Sequence, residues 1–145
     1  MRILVQKVTQ ASVSVDEKIV GKIGKGYLLF IGVQKDDTLA QADYLARKVS
    51  NLRIFEDENG KMNLALKDVE GAILAISQFT LAGDTSRGNR PGFETAASPE
   101  DAKPIYEYFV EQLKQYGHQV ETGIFQADMK VSLINDGPTT FILEK

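Results

Sequence analysis

Several reactive residue types are absent or scarce in this sequence of 145 residues. It contains no cysteine, which excludes disulfide bonds, thiolate nucleophiles and cysteine-based zinc sites. It contains one histidine, His118, so a site with several histidine ligands is impossible and a Ser-His-Asp triad would have to use this residue. Any catalysis must therefore use hydroxyls, carboxylates, amines, backbone groups or the substrate itself. We expect neither a bound metal nor a cofactor.

Long hydrophobic runs and an excess of basic charge are also lacking. The N-terminal stretch begins with apolar residues but is interrupted by Gln6 and Lys7, so it is too short and too polar for a signal peptide or a membrane span. We expect a cytoplasmic protein without a membrane partner. The net charge of −3 argues against coating long stretches of nucleic acid, although a local patch can still hold one RNA terminus.

What is present is the composition of an ordinary folded domain. Hydrophobic residues make up 43% and charged residues 26% of the chain, which excludes disorder. There is no linker, repeat or low-complexity tract. The sequence therefore predicts a single domain over residues 1–145.

Periodicity predicts many strands and two helices. The expected helices cover residues 38–51, after the capping residues 36–38, and a segment from Ser98-Pro99 to Gly117, which Pro104 should kink or delay. Period-two alternation or unbroken apolar runs predict strands over 2–8, 10–16, 18–23, 27–33, 53–56, 72–79, 119–124, 128–135 and 139–143. We expect an α+β fold with a mainly antiparallel, barrel-like sheet and two main helices.

His118 directly follows the glycine that ends the second predicted helix. A general base is one interpretation of this histidine. We favour a cap at the C-terminus of the helix, where the dipole stabilises a positive charge.

The segment Ser77 to Leu81 follows a buried strand and carries three hydrogen-bonding side chains. If the strand stays extended, Gln78 and Thr80 share one face, with Ser77 and Phe79 on the other. These side chains either form a site at the edge of the sheet or satisfy backbone groups where the strand meets a loop.

Two further segments permit a functional or a plain interpretation. The loop 84–92 contains Arg87 and Arg90 among glycines, which suits phosphate or an RNA end, but a solvated loop fits equally well. Gly137-Pro138 lies at a predicted tight turn between two strands, as a rigid pair of carbonyls for a ligand or as an ordinary hairpin turn.

Taken together, these segments resemble the D-aminoacyl-tRNA deacylase family. The two signature motifs are matched by Ser77-Gln78-Phe79-Thr80-Leu81 and by Asn135-Asp136-Gly137-Pro138-Thr139-Thr140. Further matching segments are Arg53-Ile54-Phe55, Gly60-Lys61-Met62-Asn63, Ala97-Ser98-Pro99 and Ala127-Asp128-Met129. The chain departs at three positions: Lys7 replaces a common arginine, Thr139 a common valine and Gly92 a common serine. Lys7 keeps the charge but loses the planar fork of arginine.

The resemblance implies a hydrolase that releases the D-amino acid from D-aminoacyl-tRNA, and that also acts on mischarged glycyl-tRNA. It implies a homodimer with active sites at the subunit interface, each holding the terminal adenosine and amino acid of an aminoacyl-tRNA. The implied site residues are Ser77, Gln78, Phe79 and Thr80 for catalysis; Gly137 and Pro138, joined by a cis bond and inserted into the partner's pocket, for chiral selection; and Met129, Asn135 and Thr140 for substrate binding. The basic residues Arg87, Arg90, Lys61 and Lys7 are candidate contacts to the RNA end, because their positive charge suits phosphate.

A mechanism follows as a hypothesis. The ester is activated, so placing a water molecule and stabilising the oxyanion suffice for most of the rate. We expect the backbone N–H groups of Phe79 and Thr80 to be the oxyanion donors, Thr80 to position rather than attack, and a ribose hydroxyl to assist the water. The carbonyls of Gly137 and Pro138 would accept the substrate's amino group and leave no space for an L side chain.

Three other classes of protein remain as alternatives. A non-catalytic RNA- or nucleotide-binding module would bind without ester turnover. A small hydrolase or deaminase of free metabolites would act without tRNA. A structural protein has no motif in its favour.

Overall fold

A long first strand organises the sheet. In the computed structural model, which describes all residues 1–145, β1 spans Arg2–Val15. Its inward side chains, including Val5, Val8 and Val13, are fully buried. Two separate strands over 2–8 and 10–16 were expected, and this expectation is wrong. The polar residues at 9 and 10 are exposed, but the backbone continues to pair with the last strand through this region.

Most of the remaining elements lie where the sequence pattern predicts them. The structure confirms the α+β class, with a nearly closed, barrel-like sheet and two α-helices. The strands are β2 Lys18–Ile23, β3 Gly26–Gly32, β4 Arg53–Glu56, β5 Met62–Ala65, β6 Ala72–Ser77, β7 Val120–Thr122 and β8 Lys130–Glu144; the helices are α1 Leu39–Asn51 and α2 Pro99–Gln115; 3₁₀ turns cover Leu66–Val69 and Phe79–Ala82. The strand β5 and both 3₁₀ turns were not anticipated.

Parallel pairing sets where the chain's helices lie. Of the six strand pairings, four are antiparallel, whereas β3–β6 and β6–β7 are parallel. A parallel pair needs a crossover connection, and here α1 lies in the connection from β3 to β6 and α2 in the connection from β6 to β7. The carboxyl end of β6 therefore opens beside these connections. Such ends are the usual place for a ligand in parallel sheets.

The helix boundaries follow from their caps. Thr38 accepts a hydrogen bond from the backbone N–H of Ala40, and Gln41 bonds back to the Thr38 backbone, which completes a capping box before α1. Ser98 caps α2 in the same way through the N–H of Asp101. Pro104 lies inside α2, so the predicted delay of the helix is wrong.

The C-terminus of α2 corrects the interpretation of His118. The N–H of Gly117 donates to the carbonyl of Lys114, and the N–H of His118 donates to the carbonyl of Leu113, as in a Schellman motif. His118 thus caps the helix through its backbone. Its imidazole is buried, Nε2 has no hydrogen-bond partner, and burial followed by the charge of Lys67 lowers its pKa. The neutral form is favoured, so a charged cap is not what the structure holds.

The core has two parts, on opposite faces of the sheet. The larger cluster joins the helix-facing side chains of β1, β3 and β6 to α1 and α2, with Leu45 and Phe109 fully buried. The smaller cluster lies inside the curl of the sheet, where Val13, Leu74 and Ile76 pack together and Met129 and Val131 cover them. The curl brings the beginning of β8 against the carboxyl end of β6.

The last strand differs from the two predicted strands over 128–135 and 139–143. Both halves of β8 pair with β1 in the same antiparallel direction, so Gly137-Pro138 is a bulge within one strand rather than a hairpin turn. The Gly137–Pro138 peptide bond is cis. A hairpin would reverse the chain, whereas here it continues along the same neighbour.

No helix in the structure has the length and apolar character needed to cross a membrane.

Candidate active site

A cleft of about 670 Å³ opens at the carboxyl end of β6. It is lined mainly by hydrophobic side chains, with Ser77, Gln78 and Phe79 on one wall. Val131 at the beginning of β8 and Met129 just before this strand also line the cleft. An apolar cleft with a few convergent polar groups is the usual form of a small-ligand site.

The segment after β6 forms a 3₁₀ turn and does not continue the strand. The predicted extended geometry, with Gln78 and Thr80 on one face of a strand, is therefore wrong. The N–H of Gln78 still donates to the carbonyl of Ile31 at 2.7 Å, which is the last step of the ladder with β3. The turn then begins at Phe79, and it brings the Gln78 side chain to the Thr80 hydroxyl by a different route.

The turn is fixed from several sides. The guanidinium of Arg2 donates to the carbonyl of Leu81 at 2.6 Å, and the Thr95 hydroxyl donates to the carbonyl of Ala82 at 2.8 Å. Gly32 lies beneath the turn, where an added Cβ would stand 2.9 Å from Leu81 Cβ and 3.1 Å from the Gln78 carbonyl oxygen. The absence of a side chain at Gly32 therefore allows the turn to pack on β3.

Two adjacent backbone N–H groups remain free at this turn. The first paired donor of the 3₁₀ turn is Leu81, whose N–H bonds to the carbonyl of Gln78. The N–H groups of Phe79 and Thr80 donate to no other group of the chain. Unpaired N–H groups at the start of a turn are suited to an anionic oxygen.

Thr80 has no base beside it. Its hydroxyl has one hydrogen-bond partner, the side-chain amide of Gln78, and an amide is not a base at neutral pH. His118 is remote, because Ile73 at the other end of β6 donates to the carbonyl of Gln119. Ser77 is four residues further, or about 13 Å along the strand. His118 therefore does not serve as the general base of this cleft.

The arginine loop, residues 84–92, leads directly into Phe93, which lines the cleft. Asp84 and Gly92 close the loop through two backbone hydrogen bonds of 2.8 Å. Arg87 and Arg90 between them are exposed and form no ion pair. Hydrogen bonds from Ser86 lower the pKa of the Asp84 carboxyl.

An aromatic contact joins this loop to the turn. Phe93, directly after the loop, lies with its ring centroid 5.1 Å from that of Phe79, and both rings line the cleft. Their exposed fractions of 39% and 56% are large for phenylalanine, so apolar surface faces the opening.

The bulge that carries Gly137 and Pro138 is remote from the cleft of the same chain. Val131 lines the cleft, and Gly137 lies six residues further along β8, or roughly 20 Å at about 3.3 Å per residue. Both Gly137 and Pro138 are exposed. The structure therefore does not bring the two signature motifs together within one chain.

Asn135 and Thr140 flank the bulge and contact it directly. The Asn135 side chain accepts from the Thr139 N–H at 2.6 Å and donates to the Thr140 hydroxyl at 2.9 Å. Met129, the third residue expected to bind substrate, lines the cleft and is not part of the bulge.

The two lysines expected to contact RNA lie away from the cleft. The Lys7 side chain is only 4% exposed and its ammonium stands 5.9 Å from the centre of the Phe55 ring, so it is not presented to RNA at the surface. Lys61 is exposed at the turn between β4 and β5, and its N–H donates to Asp57. None of the four basic candidates lines the cleft, and Arg87 and Arg90 lie in the exposed loop that precedes the lining residue Phe93.

Some lining residues were not recognised from the sequence. They come from the loop before α2 and from the loop between β7 and β8, and they include Phe93, Ala96, Phe125 and Gln126. Their neighbours Ala97 to Pro99 and Ala127 to Met129 had matched the family pattern, and this was the available signal.

Comparisons with known proteins agree with this site. A family model described as D-Tyr-tRNA(Tyr) deacylase matches residues 4–144. D-aminoacyl-tRNA deacylase of Limosilactobacillus reuteri (strain DSM 20016) is 58% identical over 145 residues and covers 100% of both chains. D-aminoacyl-tRNA deacylase of Geotalea uraniireducens (strain Rf4) is 58% identical over 144 residues, which are 99% of this chain and 93% of that one.

Two solved structures share the fold. One is described as c-Myc DNA Unwinding Element Binding Protein, with a TM-score of 0.94 and 39% identity over 100% of this chain and 99% of that one. The other, a probable eukaryotic D-amino acid tRNA deacylase, has a TM-score of 0.79 over 98% and 97% of the two chains, and at 17% identity it is similar in fold alone.

The match of the family model runs from the first strand to the last and includes the turn at Phe79–Ala82, the cleft and the bulge of β8. The full-length relatives carry the same family name. The chain belongs to the D-aminoacyl-tRNA deacylase family, a family of hydrolases that act on the ester bond of aminoacyl-tRNA.

Proposed function

We propose that this protein hydrolyses the ester bond of D-aminoacyl-tRNA at the cleft beside β6, releasing the free D-amino acid and the tRNA. The observation that carries this proposal is the pair of free N–H groups of Phe79, which lines the cleft, and of the next residue, Thr80. They are donors without an internal acceptor, in a chain whose family acts on esters. Because aminoacyl-tRNA is used in translation, we expect this reaction to take place in the cytoplasm.

The chemistry needs little beyond placement. Water attacks the ester carbonyl carbon, and the carbonyl oxygen becomes an oxyanion. When the oxyanion collapses, the bond to the ribose oxygen breaks, and that oxygen takes up the proton that the attacking water has lost. The N–H groups of Phe79 and Thr80 stabilise the oxyanion, an effect worth about 3–4 kcal/mol per donor in other hydrolases. A neighbouring ribose hydroxyl of the substrate assists the attacking water, because the chain offers no base at this position.

Thr80 acts by position rather than by attack. A threonine nucleophile needs a group that takes its proton, and its only partner is the amide of Gln78. With that amide as donor, the hydroxyl proton of Thr80 is free to bond to water or to the substrate. Ser77 and Gln78 complete the wall around the ester.

The active form is a homodimer in which each chain completes the other's site. Gly137 and Pro138 lie roughly 20 Å along β8 from their own cleft, so their contribution must come from a second copy. β8 pairs only with β1, which leaves its other edge open. Ile134 and Ile142 flank the bulge with exposed fractions of 51% and 61%, and burying such apolar side chains favours association.

Chiral selection is the task of Gly137 and Pro138. Their backbone carbonyls accept the substrate's amino group and occupy the space that an L side chain requires. Since glycine has no side chain, the same filter does not exclude it, and glycyl-tRNA is a second substrate. A fixed backbone excludes the L side chain more rigidly than flexible side chains could.

The RNA end is held beside the cleft. The exposed Phe79 and Phe93 rings offer apolar surface for the terminal adenosine, and Arg87 and Arg90 reach the phosphates. A local basic loop is consistent with the chain's net charge of −3, because only the terminus of the tRNA needs to be contacted.

The deciding experiment compares release of D-tyrosine and L-tyrosine from matched aminoacyl-tRNAs by the purified protein. We expect fast release of the D-amino acid and an L-ester that stays intact. Equal release of both would indicate a general esterase without the chiral filter.

The same assay separates the alternative functions. Binding of nucleic acid without any release would favour a non-catalytic module, an activity that the name of the DNA-element-binding relative suggests for that protein. Hydrolysis of free amino-acid esters at the same rate as the tRNA ester would indicate a hydrolase of small metabolites.

A further inference from the structure

The bulge of β8 interrupts the hydrogen-bond ladder with β1. Val8 pairs with Asn135 and Gln6 pairs with Thr140, so β1 advances by two residues where β8 advances by five. The four residues 136–139 therefore stand opposite Lys7 alone. A backbone that leaves its ladder needs other groups to fix its shape.

The Asn135 side chain supplies those groups. Its Oδ1 accepts from the Thr139 N–H at 2.6 Å, and its Nδ2 donates to the Thr139 carbonyl at 3.3 Å and to the Thr140 hydroxyl at 2.9 Å. It thus closes a loop around Asp136, Gly137 and Pro138. No other side chain forms a hydrogen bond with residues 136–139.

Only an amide meets all these requirements at once. Asparagine carries an acceptor and two donors on one short side chain, aspartate has no donor at neutral pH, and alanine has neither. Gly137 restricts the shape of the bulge further. Its φ of +133° is one that other residues rarely adopt, and a Cβ there would collide with the Thr139 hydroxyl. Thr139, which Asn135 holds, is itself buried.

We propose that Asn135 is a positioning residue that sets D/L selectivity by fixing the shape of the Gly137-Pro138 bulge. This inference rests on the proposed function, in which the bulge excludes L side chains from the partner's cleft. Asn135 acts through the carbonyls of the bulge and does not contact the ester. A merely structural role would lower stability or both hydrolysis rates together, whereas a positioning role changes their ratio.

The test compares Asn135→Ala with Asn135→Asp and with the wild-type protein. We expect the ratio of D- to L-tyrosine release to fall about tenfold in the alanine variant, the size of effect that losing about one net hydrogen bond produces. In the aspartate variant Oδ1 still accepts from Thr139, and the Thr140 hydroxyl can donate to the carboxylate. That variant should therefore lie between alanine and the wild type.

Asn51→Ala is the matched control. Asn51 also donates from its side-chain amide to a backbone carbonyl, that of Arg47 at 2.8 Å, but it lies at the end of α1. Its ratio should equal that of the wild type. Thermal unfolding of each variant shows whether the fold is retained.

The outcomes distinguish the two proposals. A wild-type protein that releases neither amino acid would contradict the proposed function itself. A selective wild type together with a folded Asn135→Ala variant of unchanged ratio would overturn the role of Asn135 alone. If the alanine variant does not fold, the aspartate variant decides, and an unchanged ratio there would equally refute the inference.

Discussion

The 3₁₀ turn after β6 and the bulge of β8 are held in place by different means. The turn at Phe79–Ala82 follows a strand buried in the sheet. It is held by backbone hydrogen bonds, by a hydrogen bond from Arg2 and by close packing on Gly32, which has no side chain. The bulge at Gly137-Pro138 is exposed, lies at the sheet's outer strand and depends on one side chain, Asn135.

Under the proposed function, this difference corresponds to two separate tasks. Stabilising an oxyanion needs N–H groups that do not move, and a turn locked into the core provides them. Excluding one stereoisomer needs a rigid group that enters the cleft of the partner chain, and an exposed bulge can reach that cleft. Damage to the turn should therefore lower the rate for every substrate, whereas damage to the bulge should change the discrimination between substrates.

The largest effect is expected when the support of the turn is removed. Gly32→Ala places a methyl group 2.9 Å from Leu81 Cβ and 3.1 Å from the Gln78 carbonyl, so the turn must shift. A displacement of about 1 Å at a reacting group can lower the rate about 100-fold. We expect such a fall in kcat for D-tyrosine release, together with a loss of about 1–3 kcal/mol in the free energy of unfolding.

Gly24→Ala is the matched control for this variant. An added Cβ at Gly24 meets nothing within 4 Å. Its kcat should stay at the wild-type value, and a normal kcat in a folded Gly32→Ala protein would show that the turn does not depend on this contact.

A smaller but more specific effect is expected at the bulge. Gly137→Ala forces an L side chain into a φ of +133° and against the Thr139 hydroxyl, so the carbonyls must reorient. We expect the D/L ratio to fall on the order of 30-fold, as when the fit of a pocket is altered by one methyl group. The assay measures release of both enantiomers.

Gly60→Ala is the control for backbone strain alone. Gly60 also has a positive φ, +73°, but an added Cβ there meets nothing. Wild-type selectivity in Gly137→Ala would refute the chiral role of the bulge.

Thr80→Ala separates positioning from nucleophilic attack at the turn. The backbone N–H groups remain, and only the hydroxyl bonded to Gln78 is lost. We expect kcat to fall by less than about tenfold, the effect of one hydrogen bond, with an unchanged D/L ratio. Single-turnover kinetics provide the measurement, and complete loss of turnover in a folded protein would instead support a covalent role for Thr80.

The smallest effect is expected outside both regions, in the arginine loop. Replacing Arg87 and Arg90 together by alanine should raise KM a few-fold and leave kcat and selectivity unchanged, because the hydrogen bonds that hold the turn and the bulge come from other residues. If each contacts one phosphate of a single strand, the slope of log KM against log salt should fall by about 1.4. An unchanged slope would remove both residues from the RNA contacts.

Local patterns along the sequence were sufficient for most elements. The caps at Thr38 and Ser98 fixed the starts of both helices, and the glycine after α2 fixed its end, because capping is decided by a few neighbouring residues. The apolar run of β6 predicted a strand covered on both faces, and Ala72 to Ile76 are buried. The resemblance at residues 77–81 and 135–140 identified the family before any geometry was known.

Long-range pairing decided what these patterns could not. Residues 9 and 10 look like a break, and Gly137-Pro138 looks like a hairpin turn, until β1 and β8 are seen to pair along most of their length. A polar or irregular segment remains part of a strand when a neighbouring strand continues to pair with it. No local signal in the sequence reveals which segment that neighbour is. The same limit applies to His118. Its pKa is lowered by burial and by the charge of Lys67, a residue distant along the chain, and neither cause is visible in the local sequence.

The sequence by itself determined the helices, most strands, the family and the residue types available for catalysis, since composition, caps and periodicity act over short distances. Only the tertiary structure decided that the turn leaves the N–H groups of Phe79 and Thr80 free, that Met129 lines the same cleft as Phe79, and that Gly137 lies far from its own cleft. Each of these facts depends on how the strands stack and register across the sheet, and that register is set by burial summed over the whole chain.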